Sequence, residues 1–108
     1  MKHPRQNLAE QLTHPVRFSI VALLAQVELA DFGFVRDEVE VSDSVLSRQA
    51  SMLEEAGLIE IKKDFVGKRP RTRLQLTTQG RTAFRAHVRA LEAIVQRTAG
   101  EVIGKLSP

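Results

Sequence analysis

The stretch from Leu53 to Gly80, LEEAGLIEIKKDFVGKRPRTRLQLTTQG, leaves the chain few ways to fold. A helix ends at Gly57, where a glycine can adopt the left-handed conformation that closes a helix. The apolar residues Leu58, Ile59 and Ile61 then start a strand. A basic turn follows over Gly67 to Pro70, with Pro70 stiffening the tip, and Arg73, Leu74, Gln75, Leu76 and Thr77 alternate as a second strand. A new helix opens at Thr77 or Thr78. This order describes a β-hairpin with a cationic tip, hung directly behind a helix. Six of the twelve residues from Lys62 to Arg73 are Lys or Arg, opposed only by Asp64. A phosphate backbone is the natural partner of such a finger, and a solvated charged face is the alternative.

The rest of the chain narrows the class. At 108 residues it suits one domain, residues 1–108, with one modest core. No run of eighteen apolar residues suggests a membrane span. The opening MKHPRQNLAEQL lacks the apolar stretch of a signal peptide, so a cytoplasmic location is expected. With no cysteine, disulfides, thiolate metal sites and thiol sensing are excluded. The formal net charge is only +3, but it is unevenly spread. From Gln26 to Glu60 there are nine acidic and two basic residues, a net of −7; from Lys62 to Arg97 there are ten basic and two acidic, a net of +8.

Along the chain, residues 5–12 read as a short helix. Pro15 fits the first turn of a helix over about 15–29, whose buried face is Val16, Ile20, Leu23, Leu24 and Val27. Asp31-Phe32-Gly33 breaks it and can double as a very short strand. A second helix covers Phe34 to Glu40, with Phe34, Val35 and Val39 as its apolar residues. Ser42 is the N-cap of a third, over 43–56, with Leu46, Ala50 and Leu53 inward. The last helix spans roughly 78–98, with Phe84, Val88, Leu91 and Val95 as its apolar stripe and Arg81, Arg85 and Arg89 beside it. Gly100 and Gly104 loosen the tail. The expected class is α+β, mainly α: a three-helix core over 14–77, a hairpin, and a long C-terminal helix.

Two helices joined by a tight turn and followed by a hairpin spell a winged helix-turn-helix. The segments HPVRFSIVALL, SDSVLSRQASMLEEAGLIEI, GKRPRTRLQLT and TTQG carry the resemblance, over about three quarters of the chain. The chain resembles the winged-helix transcriptional regulators of the MarR and ArsR type, closest to the small single-domain MarR-like branch. The resemblance implies double-stranded DNA as partner, at a promoter, more often to repress than to activate.

In such a fold the helix over 43–56 enters the major groove. Keeping its core stripe inward leaves Ser44, Val45, Ser47, Arg48 and Ser51 for DNA. Asp43 reads as a helix-start stabiliser, and Glu54 and Glu55 are expected to face away from the groove. In the wing the candidates are Lys63, Lys68, Arg69, Arg71 and Arg73, with one of Lys62 and Lys63 turned to DNA and Arg69 or Arg71 suited to a narrow minor groove. Phe65 is an aromatic outlier beside them.

Surplus apolar residues at the chain ends suggest a twofold dimer through segments 1–13 and 78–106, with Leu8, Leu12, Leu91, Ile94, Val95, Val102 and Ile103 in the interface and Leu106 nearby. His3, His14 and His87 lack metal-ligand spacing, so neither metal nor cofactor is expected. No nucleophile elbow or phosphate-cradling glycine loop argues for an enzyme. Two rival readings stay open. One is a winged-helix module for protein or RNA, favoured by the acidic 26–60 stretch. The other is a ligand-responsive sensor whose small-molecule effector no residue identifies.

Overall fold

The computed structural model describes residues 2–106, and the side chains of 2–97, 104 and 105. The N-terminal segment makes two 3₁₀ turns, Pro4–Asn7 and Glu10–Leu12, in place of the expected short helix. The chain is extended at Leu8 and Ala9 between them, which lets Leu12 drop into the core.

Helix α1 runs Pro15–Leu24 and is entered as its sequence suggests: Pro15 sits in the first turn and His14 Nδ1 accepts the Val16 N–H at 3.2 Å. It stops at Leu24, not near residue 29. The following residues must straighten to deliver β1, Ala30–Asp31, to the sheet, and Val27 packs from this connection. Helix α2 (Phe32–Val39) starts two residues before the expected position and leaves Phe34 exposed. It ends at Glu40, held at φ 59°.

Helix α3 (Asp43–Glu55) is capped by Ser42, whose hydroxyl accepts the Val45 N–H at 3.2 Å. Its exit is a Schellman turn. Gly57 stands at φ +79°, the Gly57 N–H donates to Glu54 O at 2.9 Å, and the Leu58 N–H donates to Leu53 O at 3.0 Å. Strands β2 (Ile59–Val66) and β3 (Arg69–Leu76) then form the hairpin. Its turn is tighter than the expected Gly67–Pro70. Val66 pairs with Arg69, so Gly67 and Lys68 alone make the bend, with Gly67 at φ +62° in the first central position. Pro70 belongs to β3 opposite Phe65, where β3 has a neighbour on one side only. The three-stranded antiparallel sheet has the order β1-β3-β2, with Ala30 opposite Leu74 and Asp31 opposite Arg73.

Helix α4 spans Thr78–Leu106, its backbone helical through Gly100 and Gly104 and past the expected end near 98. Thr77 ties its start to the exit of α3: the hydroxyl donates to Gly57 O at 2.7 Å and accepts the Gly80 N–H at 2.9 Å. Gly80 is buried against Leu58, leaving no room for a side chain. Small and flat residues continue that inward line, with Ala83, Phe84, His87 and Ala90 at helical spacing. The expected stripe is therefore only partly covered: Leu91, one turn past His87, borders Leu8, Leu12 and Phe18 but stays 38% exposed, and Val95 beyond it is 68% exposed. The core joins Ile20, Val21 and Leu24 of α1 to Leu46, Ala50 and Leu53 of α3, with Val35, Ile59, Leu74 and Leu76 closing it.

His87 is buried; its Nδ1 accepts the Ala9 N–H at 2.9 Å and its ring lies 5.4 Å from that of Phe18. This contact fastens the N-terminal segment to α4. Burial lowers the His87 pKa below its usual 6.5.

Two outcomes follow for stability. Gly80→Ala drives a methyl into the Leu58 carbonyl and is expected to cost about 1–3 kcal/mol, read as a lower urea midpoint. Because the unfolded chain protonates His87 more readily than the folded one, stability is full above the ordinary histidine pKa. It falls as pH drops below about 6.5 toward the depressed folded value. Urea midpoints at successive pH values should show that slope in wild type, and His87→Gln should remove it.

Candidate nucleic-acid interface

Three local devices orient α3. Arg17 of α1 donates from Nε to Gln11 O at 2.7 Å and from Nη1 to Gln49 Oε1 at 2.8 Å, fastening one flank of α3 to α1. Arg36 of α2 donates to Asp43 Oδ1 and to Asp37 Oδ1, both at 2.9 Å, bracing the start of α3. These bonds keep the guanidinium charged and hold the Asp37 carboxyl below its usual range. Asp43 is thus engaged at the helix start. On the other flank Glu54 Oε2 accepts the Ile61 N–H at 2.8 Å, joining α3 to the edge of β2.

With Leu46, Ala50 and Leu53 inward, helical periodicity turns Ser44, Arg48 and Ser51 directly outward, and all three are exposed. Ser47 points from the flank toward the wing, and Val45, 39% exposed, lies on the opposite flank. The five residues thus divide among one outward stripe and two flanks. The two glutamates divide as well. Glu54 faces the sheet edge, whereas Glu55 sits on the outward stripe one turn beyond Ser51, not away from it as expected. Seven residues past Arg48, it is roughly 10 Å further down the helix axis.

Strand alternation sorts the wing. Ile59, Ile61, Lys63 and Phe65 face the α3 side with Leu76, Leu74, Thr72 and Pro70 opposite them. Lys62, Asp64, Arg69, Arg71 and Arg73 face the other side. Of the two adjacent lysines, Lys63 is the one on the α3 side, while Lys62 lies 3.9 Å from Glu60. Lys63, Thr72, Ser47 and Ser51 line a cleft of about 530 Å³ between α3 and the wing, floored by Ala50, Ile61 and Leu74 and closed at one end by Asp31, Phe32, Gly33 and Arg71.

The five wing cations are not equivalent. Arg71 donates from Nε and Nη2 to the two Asp64 oxygens at 2.9 and 2.7 Å, and Arg73 Nη2 donates to the same carboxylate at 3.0 Å. The Arg71 bonds hold the Asp64 carboxyl down to about 2. Among the described residues, Lys63, Lys68 and Arg69 have no acidic partner. Arg81 is also occupied, its Nη1 donating to Ala25 O at 3.2 Å where α1 ends. Sequence reasoning missed Thr72 and the Arg17 tie. Extending the alternation from Leu74 places Thr72, but nothing local reveals Arg17, which acts between helices.

A DNA-binding winged helix has this combination of parts, and the family comparison decides it. Residues 16–95 match the model described as winged helix DNA-binding domain. The chain belongs to that family. The resemblance to MarR- and ArsR-type regulators holds at the level of this domain. The chain is 33% identical over 73 residues to the uncharacterized protein MJ0432 of Methanocaldococcus jannaschii, covering 68% of this chain and 79% of that one. It is 31% identical over 58 residues to the biofilm growth-associated repressor of Xylella fastidiosa, covering 54% of this chain and half of the repressor. The transcriptional regulator homologue of Pyrococcus horikoshii OT3 superposes with a TM-score of 0.82 at 23% identity, over 91% of this chain and 98% of that one.

Among the described residues, no helix is long and apolar enough to cross a membrane, and no three metal-ligating side chains cluster. Of the residues expected at a dimer interface, Leu12 is 1% exposed in the core of the chain itself and has no surface left for a partner. Leu8 and Ile94 are half-buried, and Leu91 and Val95 are exposed. The side chains of Val102, Ile103 and Leu106 lie outside the described residues.

Asp64→Asn tests the division of the wing. Releasing Arg71 and Arg73 should tighten binding to duplex DNA of any sequence and steepen the salt dependence by about one unit of log–log slope, measured by anisotropy over a salt series.

Proposed function

We propose that the chain is a sequence-specific regulator of transcription that binds double-stranded DNA as a twofold dimer and acts as a repressor. The observation that carries the reading is the cleft in which the serine-rich flank of α3 faces Lys63, with the unpaired Lys68 and Arg69 beyond it at the hairpin tip. A duplex offers both surfaces a partner at once: base edges in the major groove for the helix, and phosphates and the minor groove for the wing.

In this reading the first two turns of α3 enter the major groove. Arg48 reaches guanine O6 and N7 with two bonds, Ser44, Ser47 and Ser51 contact base edges or phosphates, and Val45 meets a thymine methyl. Entry by the N-terminal half keeps Glu55 away from the phosphates. Lys63 and Lys68 bind phosphates, and Arg69 enters the minor groove. Arg71 and Arg73 contribute less than their number suggests, because Asp64 already holds them. Repression is the direction of control exerted by the similar Xylella protein, a biofilm growth-associated repressor.

The dimer reading rests on α4. The radius of gyration is 17.4 Å, against about 13 Å for a compact chain of this length, so the long helix leaves the body of the domain. Leu91 and Val95 are apolar surface on that helix. Two copies joined there present paired recognition helices to half-sites roughly 34–36 Å apart.

Fluorescence anisotropy on short duplexes from the protein's own upstream region, at two salt concentrations, tests the function. Wild type should bind at least one duplex tightly, with strong salt dependence. Gln at Lys63, Lys68 and Arg69 should weaken binding to every duplex and flatten the salt slope by about one for each phosphate that is no longer neutralised. Arg48→Ala should change which duplex is preferred. Weak binding that ignores the wing changes would move the function to a protein or RNA partner. Sedimentation tests the assembly separately: wild type should run as a dimer at micromolar concentration, and Leu91→Glu with Val95→Glu as a monomer.

A further inference from the structure

The most exposed large apolar side chain of the wing is unexplained by packing. Phe65 is 69% exposed at the outer end of β2, cross-strand from Pro70, which is also exposed. A solvent-facing aromatic there contributes little to the core, which closes at Ile59, Leu74 and Leu76. It does have a defined direction. Two residues beyond Lys63, it lies on the α3 side of the hairpin, roughly 7 Å further out along the strand. On its own face is Lys63, and at the bend beside it are Lys68 and Arg69, the latter rooted on the opposite face; none of the three has an acidic partner among the described residues. Both acidic residues of the hairpin, Glu60 and Asp64, lie on the other face, where Lys62 stands beside the first and Arg71 and Arg73 occupy the second.

We infer that Phe65, backed by Pro70, is an apolar wedge that seats in the DNA minor groove beside the wing arginine and bends the duplex there. The inference rests on the DNA-binding reading above. Apolar side chains carried into the minor groove part a base step and kink the helix away from them, at a cost in stacking that added contacts offset. The surrounding cations make this occupant fit better than a second wing: two tips brought together would set like charges against each other, whereas a phosphate-lined groove neutralises them. The wedge also supplies specificity of a kind that Arg69 does not, because pyrimidine–purine steps such as TA and CA yield to it most easily.

The chain contains neither Trp nor Tyr, so Phe65→Trp places a single tryptophan at the tip. On a duplex that wild type binds, its emission should be quenched and its accessibility to acrylamide should fall. Phe65→Ala should weaken binding about fivefold or more with the salt slope unchanged, because no charge is lost, and should abolish the bend seen by end-to-end energy transfer. A tryptophan as accessible in the complex as in the free protein, with Phe65→Ala binding and bending DNA as wild type does, overturns the wedge and leaves the DNA-binding reading standing. Shielding of the tryptophan by rising protein concentration alone overturns it in favour of contact between wings. If wild type binds no duplex at all, the DNA-binding reading fails and the wedge fails with it.

Discussion

Where α3 ends, three backbones meet within hydrogen-bonding distance, and the placement of the wing depends on how they meet. The Thr77 hydroxyl bridges Gly57 O and the Gly80 N–H, and the Thr77 N–H donates to Leu58 O at 3.0 Å. The exit of α3, the root of the hairpin and the start of α4 are therefore one joint. It closes only because Gly57 accepts a left-handed backbone and Gly80 has no side chain to hold Leu58 away. Removing either glycine's freedom moves the hairpin relative to α3, and the cleft between them is the proposed DNA surface.

Charge is distributed in the tertiary structure so that some of it serves positioning and some remains available. Arg17, Arg36, Arg71, Arg73 and Arg81 all hold other parts of the chain. Exposed pairs of this kind contribute little to stability individually, so their value is in fixing geometry. The cations left unpaired on the wing, Lys63, Lys68 and Arg69, are on the side or at the tip where a duplex lying against α3 would meet them. The acidic residues within 26–60 also serve structure in part: Asp43 steadies the start of α3 and Glu54 receives the Ile61 N–H.

Helix α4 carries more apolar surface than the body of the chain covers. Gly80, His87 and Ala90 are narrow enough to let the helix lie close against the core and the N-terminal segment. Leu91 and Val95 remain on the outside. A helix with surplus apolar residues is ordinary at a protein–protein interface and unfavourable in water, which links the length of α4 to the proposed dimer.

Much of this architecture is legible in the linear chain because it is set by local chemistry. Pro15 at a helix start, Ser42 as a cap, Gly57 as a helix exit, and the alternation through Leu74 and Leu76 each act over a few residues. The order of helices and hairpin follows from them, as does the excess of positive charge in the wing. Longer-range features were not legible. Helix α1 stops at Leu24 although Val27 continues its spacing, because Ala30 is required opposite Leu74. The inward face of α4 is set by what fits beside Leu58 and Ala9, not by which residues are most apolar, so His87 is buried while Leu91 and Val95 stay exposed. Asp64 stands seven residues from Arg71, and only the strand register makes them partners. The sequence by itself determined the fold class, the third helix with its inward stripe, and the basic wing. The tertiary structure decided which side chains of that helix and wing remain unpaired, because a cation's availability depends on what the folded chain has already set beside it.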